Sequence, residues 1–216
     1  MREIALFPLN TVLFPGMPLH LHIFEERYKL MMKHCLEGPR YFGVTLILTG
    51  AEAFGPAETY SVGTLARVLE VEPLEDGRMN LSVVGEERFR ILERLQDQPY
   101  PRGNVEGLPM RTSRLLEALR GMAFLRQDAS RYLKKAYPHE VAGASRFEWP
   151  SDPLVLLALA ATLLDLPLHE KQALLELDEA GDLFHEVSRL YRRELALLEK
   201  LPKTHTSDRM PDQFLN

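Results

Sequence analysis

Cysteine is nearly absent from this 216-residue chain. Cys35 stands alone, so no intrachain disulfide forms and no cysteine-based zinc site can be assembled. That composition fits a reducing, cytoplasmic setting. A basic excess is lacking as well. The 26 Lys and Arg face 31 Asp and Glu, and the formal charge of −5 leaves no electrostatic footprint for a phosphate backbone. Long apolar runs are also missing. The longest, Leu154–Leu164, falls short of the about 20 residues that a membrane span requires and reads as a helix buried in a core. The opening Met1-Arg2-Glu3 leads into an apolar run that Pro8 and Asn10 break, so no signal peptide is expected. A soluble chain with no membrane partner is expected.

The motifs of common catalysts are missing in turn. No Gly-Lys dipeptide occurs, which excludes a P-loop, whose lysine must follow a glycine turn to reach phosphates. Gly143-Ala144-Ser145-Arg146-Phe147 lacks the second glycine of a nucleophile elbow. His139-Glu140, His169-Glu170 and His185-Glu186 each begin the His-Glu-x-x-His pattern of a zinc protease, and none completes it. The dinucleotide-binding glycine fingerprint is absent too. These gaps exclude the named motifs but not enzymes in general; no catalytic residue, metal ligand or cofactor is singled out.

What is present divides in two. A hydrophobic fraction of 45% with 26% charged residues allows a sizeable core. Leu19–Ile23 alternates apolar and polar, as a half-buried strand does. Within 25–37, Tyr28, Met31, Met32, Cys35 and Leu36 recur at helical spacing until Gly38-Pro39. Strands are expected over 41–48, 63–72, 79–84, 88–95 and 104–108, with a loop over 49–60. Asp76-Gly77 is expected to turn the hairpin between the second and third of these. Short strands between tight turns suggest a barrel or closed sheet. Past Pro109 the period becomes helical. Helices are expected from Leu115 to Tyr137, from an Asp152-Pro153 cap to Leu164, over 169–177, and along Leu183, Val187, Leu190, Tyr191 and Leu198. The expected division is therefore 1–109, 110–201 and a polar tail over 202–216.

Some constellations have two readings. His20 and His22 share one strand face and could form a metal pair, but no third ligand lies near in sequence, so a hydrogen-bonded face is preferred. Arg88, Arg90 and Arg94 could bind an anion or RNA. With Glu86, Glu87 and Glu93 interleaved, a mixed-sign sheet surface is preferred. Cys35, at helical spacing with Met31 and Met32, reads as core rather than as a reactive thiol.

Phe7-Pro8-Leu9-Asn10-Thr11-Val12-Leu13-Phe14-Pro15-Gly16, followed by His22-Ile23-Phe24-Glu25-Glu26-Arg27-Tyr28, resembles the opening signature of the Lon protease N-terminal domain family. Phe42-Gly43-Val44, Gly63 to Val68, Asp76 to Leu81 and Val84 to Ile91 continue the likeness in order, and Trp149 to Pro153, Leu163 to Pro167 and Lys171 to Glu176 extend it. The resemblance implies an α+β fold: a PUA-like β-barrel with one inserted helix, followed by a C-terminal α-helical bundle. It also implies a domain that selects substrate polypeptides, and here the chain is expected to stop before the ATPase and Ser-Lys peptidase of full-length Lon. Phe14, Phe24 and Tyr28 are expected to pack the first helix on the barrel, with Arg27 paired to a carboxylate. Exposed Met17, Phe54 and Tyr60, together with Phe24 and Arg27, are the candidate peptide-binding residues, because methionine and aromatics contact varied peptides with little geometric demand.

The leading functional expectation is a non-catalytic polypeptide-recognition module, adaptor-like or chaperone-like, in protein quality control. Its expected partners are unfolded or extended polypeptides and a separate ATP-dependent protease, with a homodimer through the apolar face of the last helix. The alternative is a PUA-like nucleic-acid or nucleotide binder, which the acidic balance disfavours. A small-ligand or enzymatic pocket inside the barrel ranks third.

Overall fold

The computed structural model describes residues 1–50, 57–95, 97–138 and 148–200, the side chains at 115 and 117 excepted. Phe54 therefore lies outside the described residues, as does the tail over 202–216. The fold is mixed α/β, with one seven-stranded sheet and five α-helices among these residues. It divides into two units. The first comprises Met1–Pro109 with Pro167–Glu176, and the second Met110–Leu166 with the described residues from Leu177 onward.

Unit 1 holds the strands β1 (Arg2–Leu9), β2 (Pro18–Ile23), β3 (Tyr41–Gly50), β4 (Ala57–Thr59), β5 (Val62–Pro73), β6 (Met79–Leu95) and β7 (Arg102–Gly107). Helix α1 (Glu26–Glu37) follows β2 and buries Tyr28, Met31, Met32 and Cys35. Pairing runs β1-β7-β6-β5-β3-β4, and β3 also pairs in parallel with β1, so the path returns to its first strand. β2 joins only β6. Ile4, Leu6, Leu65, Phe89, Ile91 and Val105 come together from four strands, β1, β5, β6 and β7, to form one apolar core cluster.

Three features of this unit differ from the pattern read in sequence. The opening run is a strand despite Pro8. Its antiparallel pairing with β7 covers only Arg2 to Ala5, so Pro8 sits where β1 has no strand on that side, the kind of position where a missing N–H is tolerated. The break expected between residues 84 and 88 is absent, and β6 runs unbroken for 17 residues. Gly85 marks a close approach rather than a turn. Its N–H donates to Met17 O at 2.9 Å, its carbonyl accepts from Gly16 N, and a Cβ there would meet Phe14 O at 2.5 Å. β4 lies inside the expected loop. The hairpin does turn at Asp76 and Gly77, both at positive φ (68° and 76°).

Helix α4 (Leu168–Leu175) belongs with the sheet rather than with the other helices. Two buried polar side chains hold it there: Arg88 Nη1 donates to Leu175 O at 2.7 Å, and Gln172 Nε2 donates to Val62 O at 3.0 Å. Arg88 is 3% exposed and so is no part of a sheet surface. The mixed-sign surface is carried instead by the ion pairs Arg67–Glu86 and Arg2–Glu87.

Unit 2 holds α2 (Leu115–Ala136), α3 (Pro153–Leu163) and α5 (Ala180–Lys200). Asp152 caps α3, its Oδ1 accepting from the N–H groups of Leu154 and Val155 at 2.9 Å each. Every α3 residue from Leu156 to Leu163 is buried. Tyr191 stacks edge-on against Tyr132 at 5.5 Å and donates its hydroxyl to Ala160 O at 2.8 Å. Gly121 stands within the unbroken α2 because the Phe184 ring lies where its Cβ would be, at 2.1 Å. The apolar face of α5 is buried inside the chain at Leu183, Val187, Leu190 and Tyr191, so it is not the open dimer face expected of it. No described helix is long and apolar enough to cross a membrane.

Candidate functional site

Two concavities of unit 1 meet at Tyr28. The larger, about 360 Å³, is lined by Phe7 and Leu9 of β1, by His20 through Ile23 of β2, and by Phe24, Glu25 and Tyr28 leading into α1. The smaller, about 230 Å³, lies among Leu6, Pro8, Arg27 and Tyr28 on one side and Arg94, Leu95 and the 98–102 segment on the other.

Local sequence explains how the larger cavity is held. Residues 24 and 25 are extended before α1, and Glu25 accepts from Arg27 Nε at 2.9 Å with its side chain only 8% exposed. Arg27 in turn lies 4.5 Å above the Tyr28 ring, and Tyr28 packs on Phe7 with centroids 4.4 Å apart. This fixes the aromatic wall. Phe24 is 43% exposed at the rim and stacks on the His22 ring at 6.0 Å. His22 donates from Nδ1 to Asn80 Oδ1 at 2.8 Å, and Asn80 donates to Glu72 at 2.8 Å. His20 shares a 3.2 Å hydrogen bond with Ser82. The two imidazoles thus form a polar ladder across β2 and β6.

The smaller cavity is lined by three arginines, Arg27, Arg94 and Arg102. Arg102 pairs with Glu3 and Asp97, and Arg94 donates to Thr59 Oγ1 at 2.8 Å and Thr59 O at 2.7 Å. Burial lowers the Arg94 pKa against the opposing pull of Glu58. Tyr100 shares a 2.8 Å hydrogen bond with His34, and burial raises its phenol pKa.

The candidate residues have different fates. Phe24 lines the larger cavity and Arg27 the smaller, joined through Glu25 and Tyr28. Met17 is 3% exposed, which corrects its assignment as an open groove residue: the 14–17 segment folds onto Gly85 and carries the side chain inward. Tyr60 is half-buried, donates its N–H to Leu46 O, and lines neither cavity. Phe24 also departs from its expected packing role, whereas Phe14 and Tyr28 are buried. Phe7, Leu9 and the four residues of β2 were missed as site residues. Phe7, Leu9, His22 and Ile23 lie within the opening signature, but the alternation over 19–23 alone reads only as a half-buried strand.

Nothing in this geometry arranges a nucleophile beside a base. Burial pushes the Cys35 thiol up to about 11 and its Sγ–H points to Tyr41 O at 3.4 Å, so it is a poor nucleophile at neutral pH. Among the described residues no three His, Cys, Asp or Glu side chains are grouped to hold a metal ion. What the larger cavity offers is apolar and aromatic contact beside a strand.

Solved structures share this fold. A Lon N-terminal domain protein from Xanthomonas campestris matches with TM-score 0.60 and 24% identity over 94% of this chain and 100% of its own. The N-terminal domain of a Mycobacterium avium complex Lon protease matches with TM-score 0.65 and 16% identity over 88% of this chain and 98% of its own. The chain belongs to the family of the ATP-dependent protease La (LON) substrate-binding domain, whose model matches residues 3–193. Among full-length relatives, Lon protease 2 of Myxococcus xanthus is 29% identical over 178 residues, 81% of this chain. The match covers only 22% of that relative.

Proposed function

We infer that this chain recognises polypeptides and catalyses no reaction itself, acting as an adaptor-like or chaperone-like module in cytoplasmic protein quality control. The closed pairing path is read as a PUA-like β-barrel, and the helices of unit 2 as the C-terminal bundle that accompanies it. The observation that carries the reading is the combination of family and cavity: a substrate-binding domain whose Phe24, Phe7 and Tyr28 line a cavity of about 360 Å³. A cavity of that size suits one large apolar side chain of a bound segment. Partly exposed aromatics supply contact area without demanding one sequence. The partners are unfolded or extended polypeptides, with a separate ATP-dependent protease as their destination. Nucleic acid is the less supported partner, given the net charge of −5 and the burial of Arg88.

Fluorescence anisotropy with a chemically unfolded model polypeptide, run at two salt concentrations beside a single-stranded RNA, tests this. Expected is polypeptide binding with Kd on the order of micromolar, nearly unchanged by salt and weakened about tenfold or more by Phe24→Asp. RNA binding that falls steeply with salt, with no polypeptide binding, would sink the reading.

A further inference from the structure

β2 has one free edge. Across all six residues it pairs antiparallel with β6, from Pro18↔Val84 to Ile23↔Met79, with no shift in register. No second strand pairs with it among the described residues, and residues 18–23 make no other backbone hydrogen bond with them. In an antiparallel ladder every second residue turns its N–H and C=O away from the partner. Those groups of β2 face outward.

The larger cavity lies along that edge. A cavity over one sheet face is lined by every second residue of a strand, because successive side chains alternate faces. Here His20, Leu21, His22 and Ile23 all line it, which places the backbone edge at the cavity wall. Across the cavity stand Phe7 and Leu9, in the stretch of β1 beyond its last β7-paired residue, Ala5. The edge also carries few of the devices that block strand addition. It has no Lys or Arg and no bulge, and its one proline is at the first residue.

We propose that the outer edge of β2 takes an extended polypeptide as an added strand, hydrogen-bonded through its main chain, with one apolar side chain of that segment in the cavity beside Phe7, Tyr28 and Phe24. The inference rests on the polypeptide-recognition reading and gives it a mode. Main-chain pairing supplies affinity that is largely blind to sequence, while the cavity asks only for one apolar anchor. That combination suits a domain facing many unfolded chains.

The test uses a short labelled peptide rich in Val and Thr with a single central Leu, and two copies N-methylated on alternate amides, one set per face. The anchoring Leu fixes the register, so one methylated set faces β2 and the other faces solvent. Expected is loss of affinity of about tenfold or more for one set and near-parent affinity for the other, the signature of one to two main-chain hydrogen bonds removed. Leu21→Lys, a charge that edge strands tolerate, should weaken the parent peptide by a similar factor with an unchanged circular-dichroism spectrum. Equal affinities for the two methylated peptides, or unaltered binding by a folded Leu21→Lys chain, overturn the strand-addition mode while leaving recognition intact. No binding of the parent peptide, of other apolar peptides or of an unfolded chain overturns both.

Discussion

The two units bury apolar side chains by different routes. In unit 2 the buried positions follow a local period: Met122, Leu125, Ala129, Tyr132, Leu133 and Ala136 along α2, and Leu183, Val187, Leu190, Tyr191 and Leu195 along α5. In unit 1 the core cluster draws on strands from residue 4 to residue 105, and α4 is brought to the sheet from beyond residue 166. Helical burial is complete within each element, whereas closure of a strand path depends on remote partners. Where partners run out, at the end of β1 and along β2, the sheet opens onto a cavity. The site follows from that incompleteness.

The contrast is sharpest at Phe89, which is fully buried in the sheet cluster. Phe89→Ala should cost about 3–5 kcal/mol, measured by urea unfolding, since one ring joins several strands. A loss below about 1 kcal/mol would mean that the cluster collapses around the gap and that remote closure matters little. Next is Arg88. Arg88→Met leaves Leu175 O without its donor and should cost about 2–3 kcal/mol, with Arg88→Lys restoring little because a single ammonium cannot reproduce the guanidinium fork. If Arg88→Met is neutral, packing and the Gln172–Val62 hydrogen bond suffice to hold α4 to the sheet.

Smaller effects probe the local side of the contrast. Asp152→Ala removes the α3 cap and should cost about 1 kcal/mol, with the fluorescence of Trp149, the only tryptophan, following the change. Ionisation of Cys35 has no effect at neutral pH. Its folded pKa of about 11 stands above the ordinary thiol value of 9.0, so the unfolded chain loses the proton first as pH rises. The stability this represents is complete below pH about 9 and is lost toward pH about 11, roughly 1 kcal/mol by pH 10 relative to a Cys35→Ala chain. The same two chains melting in parallel across that window would show that the thiol is not held in its buried site.

Legibility in the sequence followed the same divide. The helices of unit 2 were readable to within a residue or two, with Asp152-Pro153 marking the start of α3, because capping and period are local signals. In unit 1 the Asp76-Gly77 turn and most strands are readable, but no strand is expected over residues 2–9, and the expected strands 79–84 and 88–95 are one. Both misreadings come from residues whose role is set by remote chain: Pro8 by the end of β7 pairing, Gly85 by the approach of residues 14–17. Of the candidate site, Phe24 and Arg27 were found as part of a sequence signature. Met17 misled because exposure was assigned from its loop position. The β2 residues were invisible as a site, since an unpaired edge appears only when every other pairing is known.

Hydrogen exchange of the chain, free and saturated with an unfolded model polypeptide, tests most directly whether recognition belongs to the sheet unit. Expected is new protection across residues 18–28, with none gained around Leu116, Leu119 and Phe124, the exposed apolar residues of α2. Protection confined to that stretch of α2, with β2 unchanged, would contradict the assignment of the site.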